Sequence, residues 1–111
     1  MNSFGPTTIK VLDIDFNGPY LNTGPLLDYS GVYVILTKNH VPGSQWTVLD
    51  VGESGSVRTR IENHDRACEW SRYSVGQLGV ATFYTNGWQY SDRLKLEQLI
   101  RQQYQPPCGI R

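Results

Sequence analysis

Residues 29–52 read YSGVYVILTKNHVPGSQWTVLDVG, and this stretch contains two strand-like runs separated by a turn. The first run, residues 29–37, is rich in β-branched and aromatic side chains and has almost no charge, which is typical of a buried central strand. The segment NHVPGS then breaks the pattern with Pro, Gly and Asn, and a second run follows at residues 46–52. The stretch therefore predicts an antiparallel β-hairpin.

The sequence before this hairpin predicts one further strand and a loop. Residues 7–16, TTIKVLDIDF, alternate well enough between apolar and polar side chains to form a strand. Residues 17–25, NGPYLNTGP, are rich in Gly, Pro and Asn and are expected to form a loop. We therefore expect residues 1–28 to be a strand-and-loop extension of the domain.

The sequence after the hairpin predicts two helices with a strand between them. Residues 57–73, VRTRIENHDRACEWSRY, have the spacing of one continuous helix that turns Cys68 toward its apolar side. Residues 78–85, LGVATFYT, form the third strand of the expected sheet. Residues 92–104 form a last helix, which ends at Pro106 and the proline after it.

Together these elements predict a small single-domain α/β (α+β) sandwich. Its central three-stranded sheet is expected to be mixed or antiparallel, flanked by helices and joined by an extra N-terminal strand. With 111 residues there is no room for a second domain, so residues 29–111 form the main domain. No apolar run reaches the length of a membrane span, and no secretory signal is visible. The two cysteines are therefore interpreted as reduced thiols of a cytoplasmic protein.

The charges are balanced overall but unevenly distributed along the chain. Ten Lys and Arg residues match ten Asp and Glu residues, which disfavours an overall basic nucleic-acid binder. However, residues 1–55 carry two cations and five acids, whereas residues 56–111 carry eight cations and five acids. Seven of those eight cations are Arg, whose planar fork is well suited to binding phosphate. A solvated helical surface of mixed charge is the alternative interpretation.

Several polar residues lie inside strand or core patterns, where they need a partner or a function. Tyr33 lies in the middle of the apolar run of the first hairpin strand, and Asp50 lies between two apolar residues near the end of the second. Arg60 and His64 are four residues apart in the predicted helix and should share one face. Glu97 falls close to the apolar side of the last helix. Each of these residues alone is more often structural than catalytic. Only their combined spacing can indicate a catalytic site.

That spacing forms an ordered set of short motifs. Gly31-Val32-Tyr33 in one strand is followed by Asp50-Val51-Gly52 at the end of the next, and Gly52-Glu53-Ser54 continues from it. The helix signature Arg-hydrophobic-x-x-His spans residues 60–64, and Glu97 lies in a later helix. This set resembles the GIY-YIG nuclease superfamily over about residues 29–109. The stretches RTRIENHDR and RQQYQPPCG also look like small stand-alone bacterial members of that superfamily.

The resemblance implies a metal-dependent endonuclease that hydrolyses DNA phosphodiester bonds. Glu97 would hold one Mg²⁺ or Mn²⁺ ion, and Arg60 would bind the scissile phosphate and offset its developing charge. Tyr33 would act as the general base or hold the nucleophilic water, and His64 would relay a proton or bind phosphate. The predicted phosphate contacts are Ser54, Arg58 and Arg60.

Asp50 departs from the family pattern, which usually has a Tyr at this position. The carboxylate adds negative charge near the phosphate site, where it is either a catalytic base or second metal ligand, or a group that repels phosphate. The late Asn of the family is not at its place either, and Cys108-Gly109 stand near it. A catalytically inactive module that binds nucleic acid or protein is therefore the alternative function.

The partners expected from this interpretation are nucleic acids. DNA is the expected substrate, with RNA as an alternative, and little sequence specificity is expected because the chain has no room for an additional DNA-binding domain. A homodimer or an accessory DNA-binding partner would enlarge the contact surface. No membrane partner is expected.

Overall fold

The computed structural model describes residues 7–109. Residues 1–6 of the predicted extension and residues 110–111 of the predicted main domain lie outside the described residues. No helix in the described range is both long enough and apolar enough to cross a membrane. In chain order the elements are β1 (Thr8–Val11), β2 (Ile14–Tyr20), β3 (Gly31–Lys38), β4 (Thr47–Ser54), α1 (Val57–Glu62), α2 (Ala67–Tyr73), β5 (Gln77–Tyr84) and α3 (Tyr90–Tyr104).

The five strands form one antiparallel sheet in the order β1-β2-β5-β3-β4. Because β3 pairs with β4 on one side and with β5 on the other, the predicted hairpin and its central strand are confirmed. The prediction of a three-stranded sheet with one extra strand is wrong. The N-terminal region supplies two strands, and β2 joins the sheet directly beside β5.

The strand β2, which the sequence did not predict as a separate strand, begins after a turn formed by residues with positive φ angles. Leu12 and Asp13 connect β1 to β2 with positive φ angles of 51° and 62°, a conformation that hairpin turns usually assign to Asn and Gly. Without that signal, residues 7–16 are interpreted as one strand. The strand β2 also runs on through residues 17–20, although its register with β5 is irregular between Asn17 and Tyr20.

The helix predicted over residues 57–73 is two short helices. Asn63 ends α1, and its side-chain amide donates to the backbone carbonyl of Thr59 at 2.9 Å. Short polar side chains compete with the helix in this way by bonding nearby backbone groups. His64 consequently lies in the turn before α2 rather than on the helix face of Arg60, and Cys68 is exposed rather than directed toward the core.

The helices cover both faces of the sheet, as predicted. On one face, α3 buries Leu96 and Ile100 against the strands. On the other face, Ile61 of α1 and Trp70 of α2 pack in the same apolar cluster as Tyr33. Tyr33 therefore lies on the face that carries α1 and α2, whereas Glu97 belongs to α3 on the opposite face.

The C-terminal segment, residues 105–109, joins the two faces by passing along the outer edge of β4. The backbone N–H of Cys108 donates to the carbonyl of Leu49 at 3.0 Å, and Cys108 is fully buried there. The register of β3 and β4 shifts near this point, and Asp50 lies opposite Ile35. Asp50 therefore sits on the Tyr33 face of β4, close to the edge that this segment covers.

Candidate functional site

Tyr33 and His64 form a buried hydrogen-bonded pair. The distance between Tyr33 Oη and His64 Nε2 is 2.7 Å, and the backbone N–H of Arg66 donates to His64 Nδ1 at 3.0 Å. Because Nδ1 accepts this bond, the proton of the neutral ring belongs on Nε2, which donates to the Tyr33 oxygen. The hydroxyl hydrogen of Tyr33 is then free for another acceptor.

The pair fits because Gly52 lies directly opposite Tyr33 in the β3–β4 ladder. A Cβ atom at residue 52 would collide with the phenol ring and hydroxyl of Tyr33. Glycine at this position is therefore a packing requirement for the Tyr33 side chain, independent of any catalytic role.

Burial keeps both members of this pair uncharged at neutral pH. Desolvation, followed by the nearby guanidinium groups of Arg60 and Arg66, lowers the pKa of His64 to about 4. The Nδ1 atom lies 3.3 Å from a carboxylate oxygen of Asp65, but with a neutral ring this contact is not an ion pair. Desolvation also raises the pKa of Tyr33 to about 12, against the opposing effect of Arg60. Tyr33 is consequently a hydrogen-bond donor and acceptor rather than a ready phenolate base.

Asp50 is fully buried, and both of its oxygens are filled by donors from the protein. Oδ2 accepts from Arg66 Nε and from Trp70 Nε1, each at 2.7 Å. Oδ1 accepts from Arg101 Nη2 at 2.7 Å, from the backbone N–H of Val51 at 2.8 Å and from Arg66 Nη2 at 3.3 Å. Five donors satisfy the lone pairs of one carboxylate.

These donors keep Asp50 ionised. Burial by itself would raise its pKa, but hydrogen bonds from Arg66, Trp70 and Arg101 outweigh burial and hold the pKa below its usual value. Two guanidinium groups against one carboxylate make a buried ion cluster. Removing one member of such a cluster is far more costly than the net contribution of the intact pair.

Glu97 lies on α3 at a pocket of about 580 Å³ formed with the C-terminal segment. Arg66 and Arg101 also line this pocket. Within residues 7–109, the only hydrogen bond to the Glu97 carboxylate comes from Arg101 Nε at the long distance of 3.5 Å. Burial raises the pKa of Glu97, against the opposing charge of Arg101. The carboxylate therefore retains oxygen lone pairs that a ligand in the pocket can use.

The remaining predicted residues are held by local surface contacts. Arg60 Nη2 donates to Asp65 at 3.1 Å, and Arg58 Nε donates to Glu62 at 3.2 Å, with substantial solvent exposure in both pairs. The Ser54 hydroxyl oxygen accepts from the backbone N–H of Ser56 at 2.9 Å. Exposed ion pairs of this kind contribute little stability, so the arginines can exchange partners at low cost.

Three residues that were not predicted as site residues connect the predicted ones. Arg66 joins His64 to Asp50, and Arg101 joins Asp50 to Glu97. Trp70 donates to Asp50, and its ring lies 4.4 Å from that of His64, measured between ring centroids. The signal in the sequence was the carboxylate inside a strand, which requires buried cationic partners but does not identify them.

Among the described residues that line this pocket, Glu97 carries the carboxylate that could bind a metal ion. In the described range, 7–109, no group of three or more His, Cys, Asp and Glu side chains is arranged to hold an ion. Glu97 can supply one oxygen ligand, and ions such as Mg²⁺ commonly retain several waters and bind substrate phosphate oxygens. The residues present are thus compatible with a weakly held, substrate-completed ion at Glu97.

The chain was compared with models of protein families, with curated proteins and with solved structures. None of the three comparisons finds a match. The functional interpretation of this site therefore rests on its own residues and geometry.

Proposed function

We propose that this protein is a metal-dependent endonuclease that hydrolyses DNA phosphodiester bonds with little sequence specificity. The observation that carries the proposal is an unbroken chain of hydrogen bonds from Tyr33 to Glu97. The chain passes through His64, Arg66, Asp50 and Arg101. It supports the proposal because residues 64 positions apart, predicted to act together, belong to one connected polar network.

Glu97 and its pocket would hold the reacting phosphate region. A bound Mg²⁺ or Mn²⁺ ion supplies Lewis-acid chemistry, lowering the pKa of bound water and neutralising charge on the phosphate. Glu97 is suited to hold that ion because its carboxylate faces the pocket and has only one long hydrogen bond within residues 7–109. Arg60 would bind a phosphate oxygen after releasing its exposed partner Asp65.

Tyr33 is buried and does not line the Glu97 pocket, so it would orient the nucleophilic water through the hydrogen-bonded network and not as part of the pocket wall. With its pKa raised to about 12, the phenol remains protonated at neutral pH and can donate to a water or a phosphate oxygen. His64 donates to the phenol oxygen and so fixes the direction of the free hydroxyl hydrogen. Among the two roles predicted for Tyr33, orientation of water suits these charges better than action as a general base.

Asp50 would have a structural role in this site. A carboxylate with five protein donors has no free lone pair to offer a metal ion or to take up a proton from water. This filled position fits an active site that depends on Glu97, and it fits a module that binds nucleic acid without cutting equally well. Cleavage is the property that separates these two functions.

We expect Glu97→Gln to reduce cleavage by about 100-fold or more, because it removes the charge that would hold the metal ion. The measurement is nicking of supercoiled plasmid, single-stranded DNA and RNA with Mg²⁺, with Mn²⁺ and with a chelator. Asp92→Asn is the matched control, because Asp92 is an exposed carboxylate in the first turn of the same helix. Circular dichroism verifies that both variants fold.

Two outcomes would contradict the nuclease. Cleavage that persists in the chelator or in Glu97→Gln would assign the activity to another site or to a contaminant. Binding to any of the three nucleic acids without cleavage under any condition would identify the non-cutting module.

A further inference from the structure

The guanidinium group of Arg66 is only partly used by the protein. Its Nε and Nη2 atoms donate to Asp50, whereas Nη1 has no acceptor among residues 7–109. The side chain is 22% exposed and lines the pocket that contains Glu97. The guanidinium group of Arg66 is therefore held by Asp50 through Nε and Nη2, and its Nη1 atom can donate to a ligand.

Asp50 fixes the orientation of that fork. The two bonds from Arg66 are side by side on one carboxylate, and Trp70 and Arg101 hold the same carboxylate in place. A guanidinium immobilised in this way has already lost the rotamer freedom that binding would otherwise cost. Asp50 thus prepares Arg66 for a ligand without touching the ligand itself.

Arg101 lines the same pocket, but each of its guanidinium nitrogens already donates a hydrogen bond within the protein. Its Nη2 atom is shared between Asp50 and the carbonyl of Val51, and its Nη1 atom donates to the carbonyl of Cys108 at 2.8 Å. Its Nε atom points to Glu97. Of the two pocket arginines, Arg66 is the one with an unused nitrogen.

The charges at the pocket would favour an oxyanion once Glu97 is neutralised. Asp50 and Glu97 balance the guanidinium groups of Arg66 and Arg101, so a metal ion held by Glu97 would leave surplus positive charge beside it. Planar arginine forks bind phosphate oxygens through short charge-assisted hydrogen bonds. Glu97, across the same pocket, is the neighbouring group that a metal ion would neutralise.

We propose that Arg66, oriented by Asp50, binds a phosphate oxygen in the pocket beside Glu97. In this arrangement Arg66 is a substrate contact and Asp50 is a positioning residue that acts through it. The proposal rests on the proposed nuclease function for the identity of the substrate, a phosphodiester, but phosphate binding itself can be measured without cleavage.

The test is a titration with inorganic phosphate, at ionic strength matched with chloride, followed by ¹⁵N NMR of arginine side chains. We expect phosphate, and not chloride, to shift the Arg66 Nε and Nη resonances. We also expect Arg66→Gln to weaken phosphate binding by on the order of 10-fold or more, the usual cost of losing a hydrogen bond to a charged group. Arg72→Gln is the matched control, because Arg72 is exposed on α2 and does not line the pocket.

Because Arg66→Gln leaves Asp50 with fewer buried donors, the double variant Asp50→Asn/Arg66→Gln removes both charges together, and circular dichroism verifies that it folds. In Asp50→Asn alone, Arg66 should still respond to phosphate but bind it more weakly. A purely structural role for Asp50 would change stability and leave the phosphate affinity of the folded protein unchanged.

Unchanged phosphate affinity in the folded double variant, or no phosphate-specific shift at Arg66, would overturn the proposal. Its failure is distinct from failure of the nuclease. Cleavage that survives with full affinity in the double variant rejects the role of Arg66 but retains the enzyme. Phosphate binding at Arg66 without cleavage of any nucleic acid retains the site but rejects the enzyme.

Discussion

His64 makes stability depend on pH in a predictable direction. The unfolded chain takes up a proton on this ring near pH 6.5, whereas the folded protein does so only near pH 4. Acidification from pH 7 to pH 5 therefore favours the unfolded state, by about 2 kcal/mol if His64 acts alone. The stability contribution is fully present above pH 6.5 and is lost as the pH falls toward 4.

Urea unfolding of the wild type and of His64→Gln at pH 7 and pH 5 measures this effect. We expect the variant to lose less stability on acidification, whatever its starting stability, because its side chain does not titrate. His40→Gln, in an exposed loop, is the control and should keep the wild-type dependence. Equal pH dependence in the wild type and His64→Gln would contradict the neutral, buried state of the ring.

Asp50 shows which part of the site could be predicted from the sequence. A carboxylate between Leu49 and Val51 in an apolar strand predicts a paired or solvated group, and the structure shows the paired case. Its partners are 16 and 51 residues away along the chain. Only the three-dimensional arrangement of α1, α2 and α3 around β4 brings them together, so local spacing could not identify them.

The contact between Tyr33 and Gly52 leaves no room for a larger residue at position 52 of the β3–β4 pair. We expect Gly52→Ala to lower the free energy of unfolding by about 1–3 kcal/mol, because the new methyl group displaces the phenol ring in a filled core. Chemical denaturation measures the loss, and the near-ultraviolet circular dichroism of the tyrosines reports displacement of the ring.

Gly55→Ala provides the matched control for this substitution. A Cβ atom at Gly55 meets nothing within 4 Å, so the same chemical change there should leave the near-ultraviolet signal unchanged. A Gly52→Ala protein as stable as the wild type would show that Tyr33 can move without cost.

Regular elements with strong local signals could be predicted, and irregular connections could not. The strands β3, β4 and β5 follow from runs rich in β-branched and aromatic residues, and the helix α3 follows from the helical spacing of its apolar residues. The β1–β2 turn uses Leu12 and Asp13 in a conformation that neither residue signals, and the break after α1 depends on side chains that bond the backbone. That break places His64 and Arg66 in the site, so the irregular part of the chain is also the part that the candidate site uses.

For the molecule as a whole, net charge and binding surface are separate properties. The arginines at 58, 60 and 66 lie in α1 and in the turn that follows it, although the chain carries no net charge. If about three phosphates are contacted there, affinity for DNA should fall by about 40-fold between 50 and 200 mM salt. Fluorescence anisotropy with a labelled oligonucleotide measures this dependence, and an affinity independent of salt would contradict a phosphate-based interface.

The closed edge of β4 has a consequence for the behaviour of the protein at high concentration. Backbone groups of Leu49 and Val51 at this edge are bonded by Cys108, Arg101 and the Asp50 side chain. Unlimited sheet-to-sheet polymerisation requires two open edges on every molecule, and here the middle of one edge is already occupied. Within residues 7–109, the other edge of the sheet is the four-residue β1, which carries the Lys10–Asp15 ion pair. We therefore expect edge-to-edge pairing to favour two molecules over a fibre.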